Sequence, residues 1–292
     1  MWLGWILASS FTLSVYDLSK KASVRGNAAF PVLLVSTLCG WLTVTAALAA
    51  RGELLAACRL PFASVALLLG KSCMGGASWT ATYFALRTLP ITSAAPIRAT
   101  GPVWTLIGAV LIFGETPVPL QIAGIALALA GCWLFSLSAV PRGSTFWRDR
   151  ALLLAFAGTL LGSASALYDK RLLQHEGLPV GTVLWWFLGG MAVLYAVATA
   201  VWRNRRSQGT GDAFTWRWTI PLVGVLLAAS DACYFSAIGT PEAKISILSV
   251  IRRASVVFTF FIGGAVFHER NMRRKLVPLA MILAGVVILW LV

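Results

Sequence analysis

The stretch IRATGPVWTLIGAVLIFGE, residues 97–115, returns as IRRASVVFTFFIGGAVFHE, residues 251–269, at a constant offset of 154. Six of the nineteen aligned positions are identical, including Arg98 with Arg252 and Glu115 with Glu269. Both copies are otherwise long apolar runs. An arginine about two turns into an apolar helix is costly. Finding it twice at matched positions points to a duplicated chain whose halves share one task.

Outward from this pair, other fragments repeat in the same order. Tyr16 and Asp17 match Tyr168 and Asp169, while Tyr83, Phe84 and Pro90 match Tyr234, Phe235 and Pro241, the offset drifting between 151 and 154. Of the 292 residues, 59% are hydrophobic and only 12% charged, about half the charged share of a soluble domain. A helix needs about 20 apolar residues to cross the hydrocarbon core, and the chain holds ten such segments. They fall at 2–21, 30–50, 62–85, 91–113, 120–139, 151–173, 181–202, 218–238, 243–267 and 276–292. The expected fold is an all-α membrane protein of ten transmembrane helices, built as two five-helix repeats at 1–140 and 149–292. Five is odd, so the second repeat enters from the opposite side and is inverted.

The longest polar loop, 203–217, leaves no room for an extramembrane domain, and MWLGWILASS lacks the basic start of a signal peptide. The net charge of +14 sits mostly in loops, which fits positive-inside topology and removes nucleic acid as a partner. Fifteen Lys and Arg lie on one side and five on the other, a count that places the heavy loops in the cytoplasm and both termini outside. The cysteines Cys39, Cys58, Cys73, Cys132 and Cys233 are scattered and give no redox or metal signal. No cofactor is called for. Trp2, Trp5, Trp147, Trp202, Trp216, Trp218 and Trp290 lie at span ends and read as interface anchors.

Pro96 and Pro102 flank Arg98 inside the fourth span, which is expected to be kinked or unwound there. The ninth span lacks proline and is expected to be straighter. Gly124, Ala128 and Gly131 form a small-residue stripe suited to helix packing within the chain rather than dimerisation. The protein is expected to be a monomer or weak homodimer.

Seven ionisable groups remain in or at the edge of the spans: Asp17, Lys71, Arg98, Asp169, Asp231, Arg252 and Arg253. At about 3 kcal/mol for each charge left in lipid, they must pair or face water. Topology puts Asp17 with Arg98 in one half of the bilayer and Asp169 with Arg252 in the other, which suggests two alternating gates. Tyr16 and Tyr168 neighbour the two gate carboxylates. Asp231, Lys71 and Arg253 break the symmetry, their repeat partners being Thr80, Leu222 and Ala99. Asp231 and Lys71 fall near the midplane, where such transporters hold substrate or coupling ion; a structural Lys71 to Asp231 bridge is the plainer alternative. Arg253 either contacts an anionic substrate, pairs with Asp231, or snorkels. Trp79, Tyr83, Trp104, Tyr234 and Phe235 line a cavity or pack in the core. Glu115 and Glu269 read as caps or loop bridges.

An enzyme is disfavoured, because no phosphate loop, metal-spaced cluster or nucleophile elbow is present. The chain resembles the EamA-like group of the drug/metabolite transporter superfamily. The resemblance rests on Gly114 and Glu115 followed by the Gly124 to Gly131 stretch, on Lys20 ending the first span, and on Tyr168. His268 departs from it by replacing the glycine before Glu269. It implies a secondary transporter with a central cavity, both termini in the cytoplasm, and a multi-pass site in a bacterial cytoplasmic (inner) membrane. The expected function is alternating-access transport of a small polar anionic or zwitterionic metabolite, coupled to a proton or counter-substrate. Arg98, Arg252, Arg253, Lys71, Trp79, Tyr83 and Tyr234 are the substrate candidates. Asp231, Asp17, Asp169, Tyr16 and Tyr168 are the coupling or gating candidates. Efflux of cationic drugs or amines, or flipping of a lipid-linked head group, is the alternative.

Overall fold

The computed structural model describes residues 2–24, 27–88, 97–98, 100–137, 150–206, 213–255, 257–258 and 272–291. Every regular element among them is helical. In chain order these are α1 (Trp2–Val24), α2 (Ala29–Ala50), a short α3 (Leu54–Cys58), α4 (Phe62–Thr88), α5 (Gly101–Phe113) and α6 (Pro119–Leu137). They continue with α7 (Arg150–Lys170), which runs into a π-helical turn (Arg171–His175), then α8 (Val180–Arg206), α9 (Thr219–Ile238), α10 (Ile245–Arg253) and α11 (Met272–Leu291).

Residues 30–50, 150–175, 180–204 and 219–238 are long and apolar enough to cross a membrane, and α5, α6 and α11 are shorter apolar helices. The outward faces are greasy: Phe62, Leu111, Val197, Trp218 and Trp290 are 60% or more exposed. In water such a surface aggregates; against lipid it is the expected exterior.

Packing follows the small residues. A Cβ on Gly224 of α9 would lie 2.1 Å from the Ser36 carbonyl oxygen of α2, and one on Gly40 would lie 2.8 Å from the Gly224 oxygen, so these two helices touch backbone to backbone. The Gly124, Ala128 and Gly131 stripe of α6 meets α11 in the same way, at Gly285, Ile282 and Pro278. The stripe is thus used inside the chain. α1 packs on α9, α4 on α7 and α2 on α8, with Leu68, Leu184, Leu188, Met191 and Leu227 among the buried apolar side chains of these helices.

Several boundaries differ from the sequence expectation. α5 begins at Gly101 with Pro102 in its first turn, where the missing N–H has no helical acceptor to lose; Pro96 lies outside the described residues. α11 starts at Met272 rather than at the expected residue 276, so that Pro278 falls inside it, because the basic segment before it is already helical. The ninth span is not evenly wound: after Arg253 the bonds shorten to i→i+3, Ala254 N–H donating to Ile251 and Val257 N–H to Ala254. Thr100 N–H to Ile97 and Val103 N–H to Thr100 repeat this pattern at the matched positions of the first copy. The Gly114 and Glu115 turn closes α5 with Gly114 at φ 62°. Gly114 N–H donates to Val110 and Glu115 N–H to Ala109, and the left-handed residue at this helix end favours glycine.

Candidate functional site

Asp231 and Tyr234 lie three residues apart on α9, hence on one face. Arg252, near the end of α10, reaches that face: its Nη2 lies 2.5 Å from Asp231 Oδ1 and its guanidinium carbon 3.8 Å from the centre of the Tyr234 ring. Ion pairing and cation–π stacking hold the same group. Its Nε is buried and makes no hydrogen bond among the described residues. Hydroxyls fix the surrounding backbones. Ser9 of α1 and Ser230 of α9 donate to each other's carbonyls at 2.8 and 3.1 Å, and Ser10 donates to Ile251 at 3.1 Å.

Lys71 of α4 forms the second pair. Its ammonium is 2.6 Å from Asp169 Oδ1, both side chains being 4% exposed, and it donates to Ser165 Oγ at 2.6 Å and to the Ser165 carbonyl at 3.1 Å. Phe187 and Phe235 lie 4.9 and 5.9 Å from the ammonium. A buried ammonium needs partners of this kind; Asp169 Oδ1 has the ion contact with Lys71 but no hydrogen bond among the described residues.

These pairs exchange the expected partners. Asp169 is held by Lys71 rather than Arg252, and Asp231 by Arg252 rather than by Lys71 or Arg253. The packing of α4 on α7 brings Lys71 to Asp169, which the pairing by repeat symmetry did not take into account. Asp17 and Arg98 are both exposed and make no ion pair among the described residues.

Arg253 is half-buried. Its Nη2 lies where a Cβ on Gly101 would be only 2.9 Å away, and Ser163 Oγ, which donates to the Gly101 carbonyl at 2.9 Å, borders the same spot. No carboxylate among the described residues lies within ion-pair distance of Arg253. Nearby, the Lys20 ammonium sits 5.3 Å from both the Tyr16 and Trp79 rings, and Trp79 stacks on Tyr195. Tyr16 lies within the fields of Asp17, Asp231, Arg98 and Arg252, so these candidates share one electrostatic neighbourhood. Tyr168 is half-buried, its hydroxyl close to Gly70. The Tyr83 side chain lies outside the described residues. Trp104 donates to Thr100 Oγ1 and packs edge-on against Phe156, and Phe235 is a core residue.

Sequence reasoning missed Ser165, although its spacing of four from Asp169 on one helix puts both on one face. It also missed Lys170. Glu115, buried in the turn after α5, lies 2.6 Å from Lys170 Nζ and accepts from Ile245 N–H at 2.8 Å, Ser246 N–H at 3.2 Å and Ser246 Oγ at 2.5 Å. It therefore caps α10, a helix of the other half of the chain. Burial alone would raise its pKa, but bonds from Lys170, Ser246 and Ile245, with the Lys170 charge, outweigh that and lower it. Glu269 lies outside the described residues.

Residues 1–137 match the model of the EamA-like transporter family. One solved crystal structure is similar to the chain with a TM-score of 0.78 at 20% identity, covering 98% of this chain and 95% of that one. The fold is thus shared from end to end, beyond the segment that the family model matches. Comparison with curated proteins gives no match.

Proposed function

We propose that this chain, which over residues 1–137 belongs to the EamA-like transporter family and is an integral multi-pass membrane protein, moves a small anionic or zwitterionic metabolite by alternating access. One observation carries the choice of substrate class: Arg253 is a half-buried cation facing Gly101 and Ser163 with no carboxylate beside it among the described residues. Such a group is stabilised by an anion brought from outside. The wider balance agrees, since in and beside the spans Lys20, Lys71, Arg98, Arg252 and Arg253 outnumber Asp17, Asp169 and Asp231.

Coupling follows from competition. A substrate carboxylate or phosphate that engages Arg252 through its unpartnered Nε displaces Asp231. The released carboxylate, in apolar surroundings, takes up a proton. Anion and proton, or anion and counter-substrate, therefore share one cycle.

The ten-helix, two-repeat architecture, with repeats at 1–140 and 149–292 in inverted orientation, belongs to this proposal. It is supported by the i→i+3 steps at Thr100 and Ala254, which recur at the 154-residue offset. The helix pairings also support it, because exchanging the halves turns α1 on α9 into α7 on α4 and leaves α2 on α8 and α6 on α11 unchanged. Packing of the α6 stripe against α11 supports a monomer.

The test is thermal stabilisation of the purified protein by panels of small anions, zwitterions and cations. Stabilisation by anions or zwitterions that disappears in Arg252→Ala and Arg253→Ala supports the reading. Stabilisation by cations alone, lost in Asp231→Asn and kept in both arginine variants, overturns it.

A further inference from the structure

Glu115 does more than end a helix. It stands in the turn between α5 and α6, and its two oxygens reach Lys170 at the end of α7 and the first two amides and the Ser246 hydroxyl of α10. Around it lies a belt of further bonds at the same end of the bundle. Lys244 donates to the Thr116 carbonyl at 3.0 Å and to Gln121 Oε1 at 3.2 Å. Gln174, in the π turn after α7, donates to the carbonyls of Ile238, Thr240 and Ala243 at 2.7, 3.0 and 3.3 Å. The belt joins the turn after α5, the end of α7 and the entry to α10. Lys170 follows Asp169 directly, and α10 carries Arg252 and Arg253 at its far end. One carboxylate thus ties together the two helices that hold the Lys71 and Arg252 pairs.

We infer that Glu115, Lys170 and Ser246 form a latch that keeps this end of the bundle closed and that opens when the site turns to face it. The inference rests on the alternating-access reading above. Its physical basis is that a buried carboxylate with four partners holds a closed interface firmly, yet all four are polar groups at helix ends that water can satisfy once the end opens. Small contacts of this kind switch between two discrete arrangements rather than stretching. The sequence carries a counterpart: at the 154-residue offset, Ile245, Ser246 and Glu115 correspond to Ile91, Thr92 and Glu269, again two amides, a hydroxyl and a carboxylate. Those residues lie outside the described part of the structure. Lys170 has no basic counterpart in the sequence: at the 152-residue offset that pairs Tyr16 with Tyr168, Leu18 stands at its position.

The experiment measures distance and needs no substrate. Spin labels are placed at Glu176→Cys, just after the π turn that follows α7, and Glu242→Cys, in the turn before α10, both exposed and flanking the latch, after replacement of the five native cysteines; distances are read by double electron–electron resonance in nanodiscs. Loss of the exposed Glu176 to Arg171 pair has little effect on stability. The isosteric Glu115→Gln and the separate Lys170→Met are each expected to raise the longer-distance population at least threefold over the parent. Two distances in unchanged ratio in parent and both variants overturn the latch and leave alternating access standing. A single distance in all three overturns both.

Discussion

Replacing Asp169 by asparagine leaves the Lys71 ammonium, only 4% exposed, with neutral partners alone, Ser165 and the new amide oxygen. At the observed 2.6 Å and an effective dielectric constant of about 20, the lost Coulomb attraction is about 6 kcal/mol. Part of that is already spent on desolvating the two charges, and breaking a buried pair on one side costs about 3–5 kcal/mol in practice. The expected loss is about 4 kcal/mol, a large share of a typical net stability of about 5–15 kcal/mol. The assay is equilibrium unfolding in mixed detergent micelles of Asp169→Asn, Lys71→Met and the double variant. The double variant should recover at least half of the loss, because it removes the stranded charge along with its partner. If Asp169→Asn lies within about 0.5 kcal/mol of wild type, or the coupling in the cycle is no larger, the pair is not the buried contact argued for.

Three further outcomes are expected. Gly224→Ala drives a methyl group to 2.1 Å from the Ser36 carbonyl, and the backbone contact of α2 with α9 must open; unfolding should show a loss of about 3 kcal/mol, as overpacking does. Gly101→Ala pushes against the flexible tip of Arg253 at 2.9 Å, so folding is nearly unchanged while affinity for a stabilising anion, read by calorimetry, falls about tenfold, or about 1.4 kcal/mol. Glu115 has a folded pKa lowered by its partners, so its contribution to stability is full above the ordinary carboxylate range and is lost as pH falls through the depressed value. Unfolding of wild type between about pH 6 and pH 3 should weaken more steeply than that of Glu115→Gln.

The helices were legible because each is a long apolar run, and the charged residues inside such runs are rare enough to mark the register between them. Arg98, Arg252, Glu115 and Glu269 fix the 154-residue register, and most helix ends fall within a few residues of the expected bounds. The partners of the charges were not legible in the same way. Repeat symmetry paired Asp169 with Arg252, but Lys71 has no symmetry mate and lies on the helix that α7 packs against, so it takes Asp169 and leaves Arg252 to Asp231. The partners of Glu115 are on the other half of the chain, a distance in sequence that no local pattern bridges. The tightening after Arg253 was missed for another reason: its first-copy counterpart was attributed to proline, and the second copy winds alike without one.

The central claim, coupled movement of an anion past Arg252 and Asp231, is tested most directly by counterflow in proteoliposomes. Vesicles are loaded with an unlabelled anion that stabilises the protein, and uptake of its labelled form is followed with and without a pH gradient. The account predicts saturable, trans-stimulated uptake that a proton gradient accelerates, that Arg252→Ala abolishes, and that Asp231→Asn makes indifferent to pH while exchange continues. Uptake that rises linearly with concentration and shows no trans-stimulation, or pH coupling that survives Asp231→Asn intact, contradicts it.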